Sequence, residues 1–261
     1  MNKNILVLAV TALWIINARA AWLLNDDFKS YPDGSLVGAP GSPCIHASGA
    51  TPGQVNVTSG RVSVTSSETE DVGAFLSGNP ISPGSGTLLY TSFTVSFSAL
   101  PTAGGAYFAH FRDNTNSNFR DTIWASTTGA GAGSFRLGIG NTTAATAISG
   151  QIPTDLSLNT SYTVVTRYDV DAAQSMIWLN PAAESDPSVA ATDSSTPFNI
   201  YAFNLRQNAG EGTMTIDDLK VGNTFADVVP EPSALALLGL GALGLLSRRF
   251  RPFAFAKRMA P

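Results

Sequence analysis

Short runs in which polar and apolar residues alternate fill the middle of this chain, and they constrain its fold more than any other feature. A period of two places one side of an extended segment against a core and the other toward water. Val, Ile, Thr, Phe and Tyr dominate these runs, as in β-strands. No internal segment shows a helical stripe. The runs include residues 61–65, 92–97, 107–111, 134–139, 163–170, 198–205 and 213–216.

Clusters of Gly, Pro, Asn and Ser separate the runs and indicate turns. Residues 113–118 and 171–173 predict two hairpin connections, because Asn and Asp tolerate turn dihedrals and bond to their own backbone. Roughly eleven or twelve strands at this spacing predict an all-β sandwich of the larger jelly-roll type.

Composition excludes several classes of function. A single cysteine, Cys44, cannot form an intramolecular disulfide or a cysteine-based zinc site. Residues 21–229 carry 18 acidic and 8 basic side chains, a formal charge of −10. So acidic a body does not suit nucleic acid, whose phosphates attract basic surfaces. An acidic surface is better suited to bind divalent cations or neutral sugars. The alternative is that the negative charge serves only to keep an exported protein soluble.

The first twenty residues have the three-part order of a secretory signal. Lys3 gives a positive start, residues 5–16 are apolar apart from Thr11, and residues 18–20 (Ala-Arg-Ala) form a small-x-small cleavage site. We therefore expect residues 1–20 to form an N-terminal signal helix, with processing after Ala20.

The C-terminal end predicts a short membrane anchor helix. Pro230, Glu231 and Pro232 precede an apolar stretch, 234–246, which is followed by arginines that include Arg248 and Arg249. Thirteen apolar residues rise about 20 Å as a helix, less than the roughly 30 Å hydrocarbon core. The arginines favour a cytoplasmic end. A plain membrane anchor and a GPI signal are the alternatives, although five basic residues follow the apolar stretch.

This tripartite tail resembles the PEP-CTERM sorting signal of Gram-negative bacteria. The resemblance implies processing by an exosortase near residues 230–232, starting from an inner-membrane-anchored precursor, and delivery to the cell surface or the extracellular polysaccharide matrix. The fourteen residues after Ser247 depart from the family, which usually stops soon after the arginines. The expected organisation is a signal peptide (1–20), a jelly-roll domain (21–229), a sorting signal (230–251) and a basic cytoplasmic tail (252–261).

The body resembles the concanavalin A-like, laminin-G-type jelly roll. The resemblance is carried by the order of five weak motifs, which are residues 26–36, 135–139, 163–169, 178–181 and 216–228. It implies that the first and last strands lie side by side and bring Asp26 and Asp27 toward Asp217 and Asp218. It also implies a structural Ca²⁺ at these four residues. Capping of turns and strand ends by aspartate is the alternative.

No catalytic residue is predicted. Retaining glycoside hydrolases need two carboxyls about 5 Å apart, and the one Glu-x-Asp pattern, residues 184–186, runs into Pro187 in a loop-like segment. Cys44 and His46 have no orienting carboxylate nearby in the sequence, which a nucleophilic pair requires.

Sugar binding requires aromatic rings near polar groups, and Tyr107 and Trp124 are the ligand-binding candidates; core packing is the alternative for each ring. The sequence thus predicts an exported, non-enzymatic protein that is carbohydrate-binding or structural in extracellular polysaccharide. A divergent polysaccharide hydrolase or lyase and a self-assembling adhesion module are the alternatives.

Overall fold

The computed structural model describes residues 21–142 and 148–229, and these form strands with one short helix. The elements are β1 (Trp22–Asp26), β2 (Gly34–Ser35), β3 (Ile45–Ser48), β4 (Asn56–Thr58), β5 (Arg61–Thr65), β6 (Asp71–Phe75), β7 (Leu88–Ala99), β8 (Ala106–Arg112), β9 (Phe119–Ser126), β10 (Ser134–Gly140), β11 (Gly150–Gln151), β12 (Leu156–Ser157), β13 (Ser161–Asp169), β14 (Gln174–Leu179), β15 (Ser188–Ala190), β16 (Ala202–Arg206), β17 (Thr213–Gly222) and α1 (Phe225–Val228).

The strands form two antiparallel sheets packed face to face. Within the described ranges, the nine-stranded sheet has the order β15-β14-β13-β7-β17-β5-β4-β2, with β1 also on β17. The eight-stranded sheet has the order β11-β10-β9-β8-β16-β6-β3, with β12 also on β10. Alternate side chains of both sheets, such as Phe93, Phe97, Phe108 and Phe135, fill the space between them. The predicted all-β sandwich is confirmed.

Strand β17 lies at the centre of the nine-stranded sheet. It pairs with β7 on one side and, along different parts of its length, with β5 and β1 on the other. Leu24 faces Val221 and Asp26 faces Leu219 in the β1–β17 ladder. The first and last strands are therefore adjacent, as the resemblance to the concanavalin A-like fold implies.

Both predicted hairpins are present. Residues 113–118 join β8 to β9, and residues 171–173 lie in the connection from β13 to β14. The sequence predicted eleven or twelve strands, and the described residues contain seventeen. The pattern missed β2, β11 and β12, since two residues carry no measurable alternation, and it also missed the short strands β3, β4, β6 and β15. The predicted run 198–205 forms a strand only from Ala202. The pattern also missed α1, a four-residue helix too short to show a helical stripe.

A fully buried carboxylate organises the loop before β4. Glu70 accepts the backbone N–H groups of Gly53, Gln54 and Val55 at 2.9, 2.6 and 2.8 Å, and its Oε1 lies 3.1 Å from His46 Nδ1. Burial alone would raise the pKa of Glu70, but these donors hold it below its ordinary value. The Glu70 carboxylate thus accepts the hydrogen bonds of three backbone N–H groups that do not pair with a neighbouring strand.

Asp121 places a second carboxyl between the two sheets. A β-bulge interrupts the β8–β9 ladder here, and Asp121 has a φ of 55°, so its side chain turns into the core. The hydroxyl of Thr166 donates to Oδ2 of Asp121, whereas Oδ1 has no partner among the described residues. Burial raises the pKa of Asp121 to about 7.

The pH dependence of stability tests this interior carboxyl. An unfolded aspartate titrates near about 3.9, so the wild type should lose stability as the pH rises from about 4 toward about 7. Asp121→Asn carries no charge, and its melting temperature relative to wild type should rise by at least about 3 °C between pH 4 and pH 8. Asp33→Asn, at an exposed position, is the control and should differ equally from wild type at both pH values. A pH-independent effect of Asp121→Asn would contradict the assignment.

The predicted signal segment (1–20) and the predicted sorting and tail segments (230–261) lie outside the described residues. The predicted processing residues among them are Ala20, Pro230, Glu231, Pro232, Arg248 and Arg249. Within residues 21–142 and 148–229, no helix has the length and apolar character that crossing a membrane requires.

Candidate functional site

Helix α1 packs on part of the outer face of the nine-stranded sheet. Phe225 of α1 packs edge-on against Tyr90 and Trp178, with ring centroids 6.2 and 6.1 Å apart. Val165 and Val228 complete this small buried cluster. The outer face of the eight-stranded sheet carries polar, charged and aromatic side chains, and it is the candidate site.

Polar and aromatic side chains lie in rows across that outer face. In β6, Val72 and Ala74 point into the core, so Asp71, Gly73 and Phe75 point outward. The register places Asp71 beside Arg206, and Tyr107 beside Trp124. The Arg206 guanidinium lies 4.1 Å from the centre of the Tyr107 ring, a cation–π contact. A continuous row therefore crosses strands β6, β16, β8 and β9.

A hydrogen-bonded network forms the next row. Nε of Arg112 donates to Oδ1 of Asn204 at 2.9 Å, and Nδ2 of Asn204 donates to Oδ1 of Asn116 at 3.2 Å. Asn116 then donates to the carbonyl oxygen of Ala47 at 3.2 Å, so the β8–β9 hairpin bends across the sheet to β3. A Cβ at position 73 would lie 1.8 Å from Asn204 Oδ1, and glycine is required there for the amide to fit.

His110 lies beneath this face with no exposed surface. Its ring packs between Phe119, at 4.3 Å, and Tyr107, at 5.4 Å between centroids. Neither ring nitrogen has a hydrogen-bond partner among the described residues. Burial, with the nearby charges of Arg206 and Arg112, lowers the pKa of His110 to about 3, so the imidazole is neutral at physiological pH.

Two buried acids adjoin the same row. Burial raises the pKa of Glu211 to about 8 and also raises the pKa of Asp71. Ser48 donates to Oδ2 of Asp71 at 2.6 Å, whereas no side chain in the described part of the chain donates to the Glu211 oxygens. Buried groups with shifted pKa values mark candidate functional positions, and here they cluster on one face.

Tyr107 and Trp124, the two ligand-binding residues predicted from sequence, are brought together with ring centroids 5.4 Å apart. The structure, however, leaves only 8% of Tyr107 and 4% of Trp124 exposed. Alternation along a strand identifies the face on which a side chain lies but not the neighbours that cover it, such as Arg206 against the Tyr107 ring. Neither ring presents a free face to solvent, and binding by these two residues stays a prediction.

Phe75 is the exposed aromatic residue that the sequence analysis missed on this face. It is 42% exposed, and neighbouring Ile45 is 41% exposed. The Arg112 guanidinium lies 5.0 Å from the centre of the Phe75 ring and forms a cation–π contact with it. The alternation of Asp71, Gly73 and Phe75 with apolar core residues was the signal that could have identified it.

The predicted calcium residues do not fit a calcium ion in this arrangement. Nζ of Lys29 lies 2.9 Å from Asp218, 3.8 Å from Asp217 and 3.9 Å from Asp27, so an ammonium group already supplies the positive charge. Asp26 instead accepts hydrogen bonds from Tyr31 and Phe28. Within the described residues, no three His, Cys, Asp or Glu side chains are grouped to hold a metal. Calcium remains a prediction without support from this geometry.

The two residue pairs considered for catalysis have structural partners. Burial raises the pKa of the Cys44 thiol to about 12, and its neighbour His46 bonds to Glu70. Glu184 accepts hydrogen bonds from Tyr90 and Arg167, and Asp186 accepts two backbone N–H groups. A cavity of about 410 Å³ lies beside Asp186, lined largely by proline and aliphatic side chains.

Comparison with known proteins identifies the C-terminal segment. Residues 228–251 match the family described as the PEP-CTERM protein-sorting motif. The chain carries a PEP-CTERM sorting motif. This motif indicates a secreted, membrane-anchored precursor that is sorted to the surface. No curated protein matches the sequence.

Solved structures with a similar fold include lectins and carbohydrate-active enzymes. A sialidase is 14% identical with a TM-score of 0.47, and the match covers 80% of this chain but only 19% of the sialidase. Lectin II from Ulex europaeus is 14% identical with a TM-score of 0.45, covering 77% of this chain and 99% of the lectin. Alginate lyase AlgAT5 is 11% identical with a TM-score of 0.39, covering 70% and 77%. At these TM-scores the likeness carries no functional argument.

Replacement of His110 tests the burial of the neutral imidazole. An unfolded histidine binds a proton below about pH 6.5, whereas folded His110 does so only near pH 3. The wild type should therefore lose stability as the pH falls through this window. His110→Phe keeps the aromatic packing, and its melting temperature relative to wild type should rise by at least about 2 °C from pH 8 to pH 5. A difference from wild type that stays the same from pH 8 to pH 5 would contradict this account of His110.

Proposed function

We propose that this chain is an exported, non-enzymatic β-sandwich that is sorted to the cell surface or extracellular matrix and binds polysaccharide there. The proposed organisation is a signal peptide (1–20), a sandwich body (21–229), a sorting signal (230–251) and a basic tail (252–261). An exosortase is the processing partner, and the membrane holds the precursor until processing. The sorting motif at residues 228–251 supports this route.

The observation that carries the binding proposal is the exposed Phe75 ring on the outer face of the eight-stranded sheet. An aromatic ring offers an apolar surface to the C–H face of a sugar ring. Half-buried Asn116 and Arg206 lie on the same face and provide donors and acceptors for sugar hydroxyls. The network below the ring holds Arg112 and Asn204 in place. This combination favours a carbohydrate ligand over a purely apolar one.

The negative charge of the body indicates which class of polysaccharide it would bind. The body carries a formal charge of −10, and like charges repel an acidic polymer at long range. A neutral glycan avoids this repulsion and relies on stacking and hydrogen bonds. We therefore propose a neutral extracellular polysaccharide as the ligand.

The burial of the titratable groups supports a non-enzymatic role. A general acid or base must come within hydrogen-bond reach of the substrate, and His110 and Glu211 have no exposed surface. Glu184 and Asp186 are occupied by bonds within the fold.

A divergent polysaccharide hydrolase or lyase is the second candidate. The proximity of Tyr107 and Arg206 favours it, since a phenol and a guanidinium can serve in proton transfer and charge stabilisation. Turnover of any polysaccharide that disappears in Tyr107→Phe would establish this candidate. Reversible self-association in sedimentation experiments would instead support the adhesion module.

Substitution of Phe75 tests the binding proposal. The processed protein recovered from exporting cells should be retained by at least one of a panel of neutral polysaccharides in affinity electrophoresis. Phe75→Ala should weaken retention about fivefold, because a stacking contact contributes about 1 kcal/mol. Leu100→Ala is the matched control, since Leu100 is 37% exposed, and it should bind as wild type does. Failure of the wild type to bind any glycan would leave only the structural role, and full retention by Phe75→Ala would rule out this ring.

A further inference from the structure

The first strand and the last helix meet at Asp227. The backbone N–H of Ala21 donates to Oδ1 of Asp227 at 3.0 Å, and the indole N–H of Trp22 donates to the Asp227 carbonyl oxygen at 2.7 Å. Ala21 follows the predicted signal cleavage site, and Asp227 directly precedes the sorting motif, which begins at residue 228. This contact therefore joins the two ends of the body at the positions where the export segments begin.

Asp227 also holds α1 in place. Its Oδ2 accepts the backbone N–H of Thr224 at 2.9 Å and the Thr224 hydroxyl at 2.7 Å. The backbone N–H of Asp227 donates in return to Oγ1 of Thr224 at 3.2 Å, which completes a capping box. On the far side of α1, Ser92 donates to the carbonyl oxygen of Val228 at 2.9 Å. The position of Asp227 thus determines where the chain enters the sorting motif.

The backbone around Asp227 is shaped for this close contact. Gly222 pairs with Trp22 at the end of the β1–β17 ladder. A Cβ at position 222 would lie 2.6 Å from the Cβ of Asp227, closer than two such atoms can approach. Glycine at this position allows the Asp227 carboxylate to reach the N-terminal strand.

Signal-peptide hydrolysis changes the charge at this contact. The C–N bond between Ala20 and Ala21 breaks, water supplies the oxygen of the new Ala20 carboxylate, and its hydrogens leave Ala21 with an amine. This amine has an ordinary pKa of about 7.7–8.0 and is an ammonium below it. The neutral N–H donor to Asp227 becomes a charged one, and charge-assisted hydrogen bonds are stronger.

We propose that hydrolysis before Ala21 completes an ion pair with Asp227, and that this pair seats α1 on the sheet ahead of the sorting motif. The inference rests on the N-terminal cleavage in the proposed function. Maturation at one end of the body thereby fixes the geometry at the other end, where the sorting reaction takes place.

The test uses the processed protein recovered from exporting cells, with its N-terminal residue identified by mass spectrometry. The ammonium gains a partner on folding, so its pKa is raised above its ordinary value. The stability it adds is present at pH 6.5 and is lost as the pH rises through this raised pKa. Asp227→Asn should lower the melting temperature by about 2–3 °C more at pH 6.5 than at pH 10. Amide exchange at Val229, which bonds to Phe225, should quicken in the variant at pH 6.5.

Thr224→Ala is the matched control, because it weakens the helix cap without removing the carboxylate that faces Ala21. It should lower the melting temperature equally at pH 6.5 and pH 10. If Asp227→Asn shows the same flat profile, the ion pair is overturned and Asp227 acts only as a cap. An N-terminus other than residue 21 would overturn the cleavage in the proposed function instead, so the two failures are distinguishable.

Discussion

The central position of β17 is the constraint on which the rest of this structure depends. Its ladder with β7 unites the long strands of the nine-stranded sheet, and its ladder with β1 fastens the start of the described chain to its end. Backbone hydrogen bonds along ten residues set this register. Because α1 follows β17 directly, the same register decides where Asp227 lies and where the sorting motif begins.

The two outer faces of the sandwich differ in kind. Phe225 and Val228 of α1 cover apolar side chains on the outer face of the nine-stranded sheet, so part of this face is buried against the chain itself. The eight-stranded sheet carries Arg112, Asn204 and Arg206 in an ordered network, with Phe75 above it. Helix α1, which ends at Val228, therefore lies on one outer face, and the proposed ligand face is the other outer face of the sandwich.

Much of the architecture was predictable from the sequence, because strand alternation and turn residues act locally. The two hairpins and the sandwich class follow from such signals, and the β1–β17 contact was implied by a family resemblance. The site was less predictable. Alternation assigns Tyr107 and Trp124 to strands, but their burial depends on tertiary packing, such as that of Arg206 against the Tyr107 ring. The bulge at Asp121 turns a polar residue into the core, which an uninterrupted period of two cannot anticipate. Lys29 neutralises the acidic cluster from a neighbouring turn, and only the folded chain shows this.

The closeness of residues 21 and 227 has a consequence for engineering. Domains whose termini adjoin tolerate insertion into a host protein, because the host loop needs to open only slightly to admit them. With the Ala21 nitrogen 3.0 Å from the Asp227 carboxylate, the body can be grafted as a cassette into a surface loop of another exported scaffold. The same proximity makes it a candidate for circular permutation.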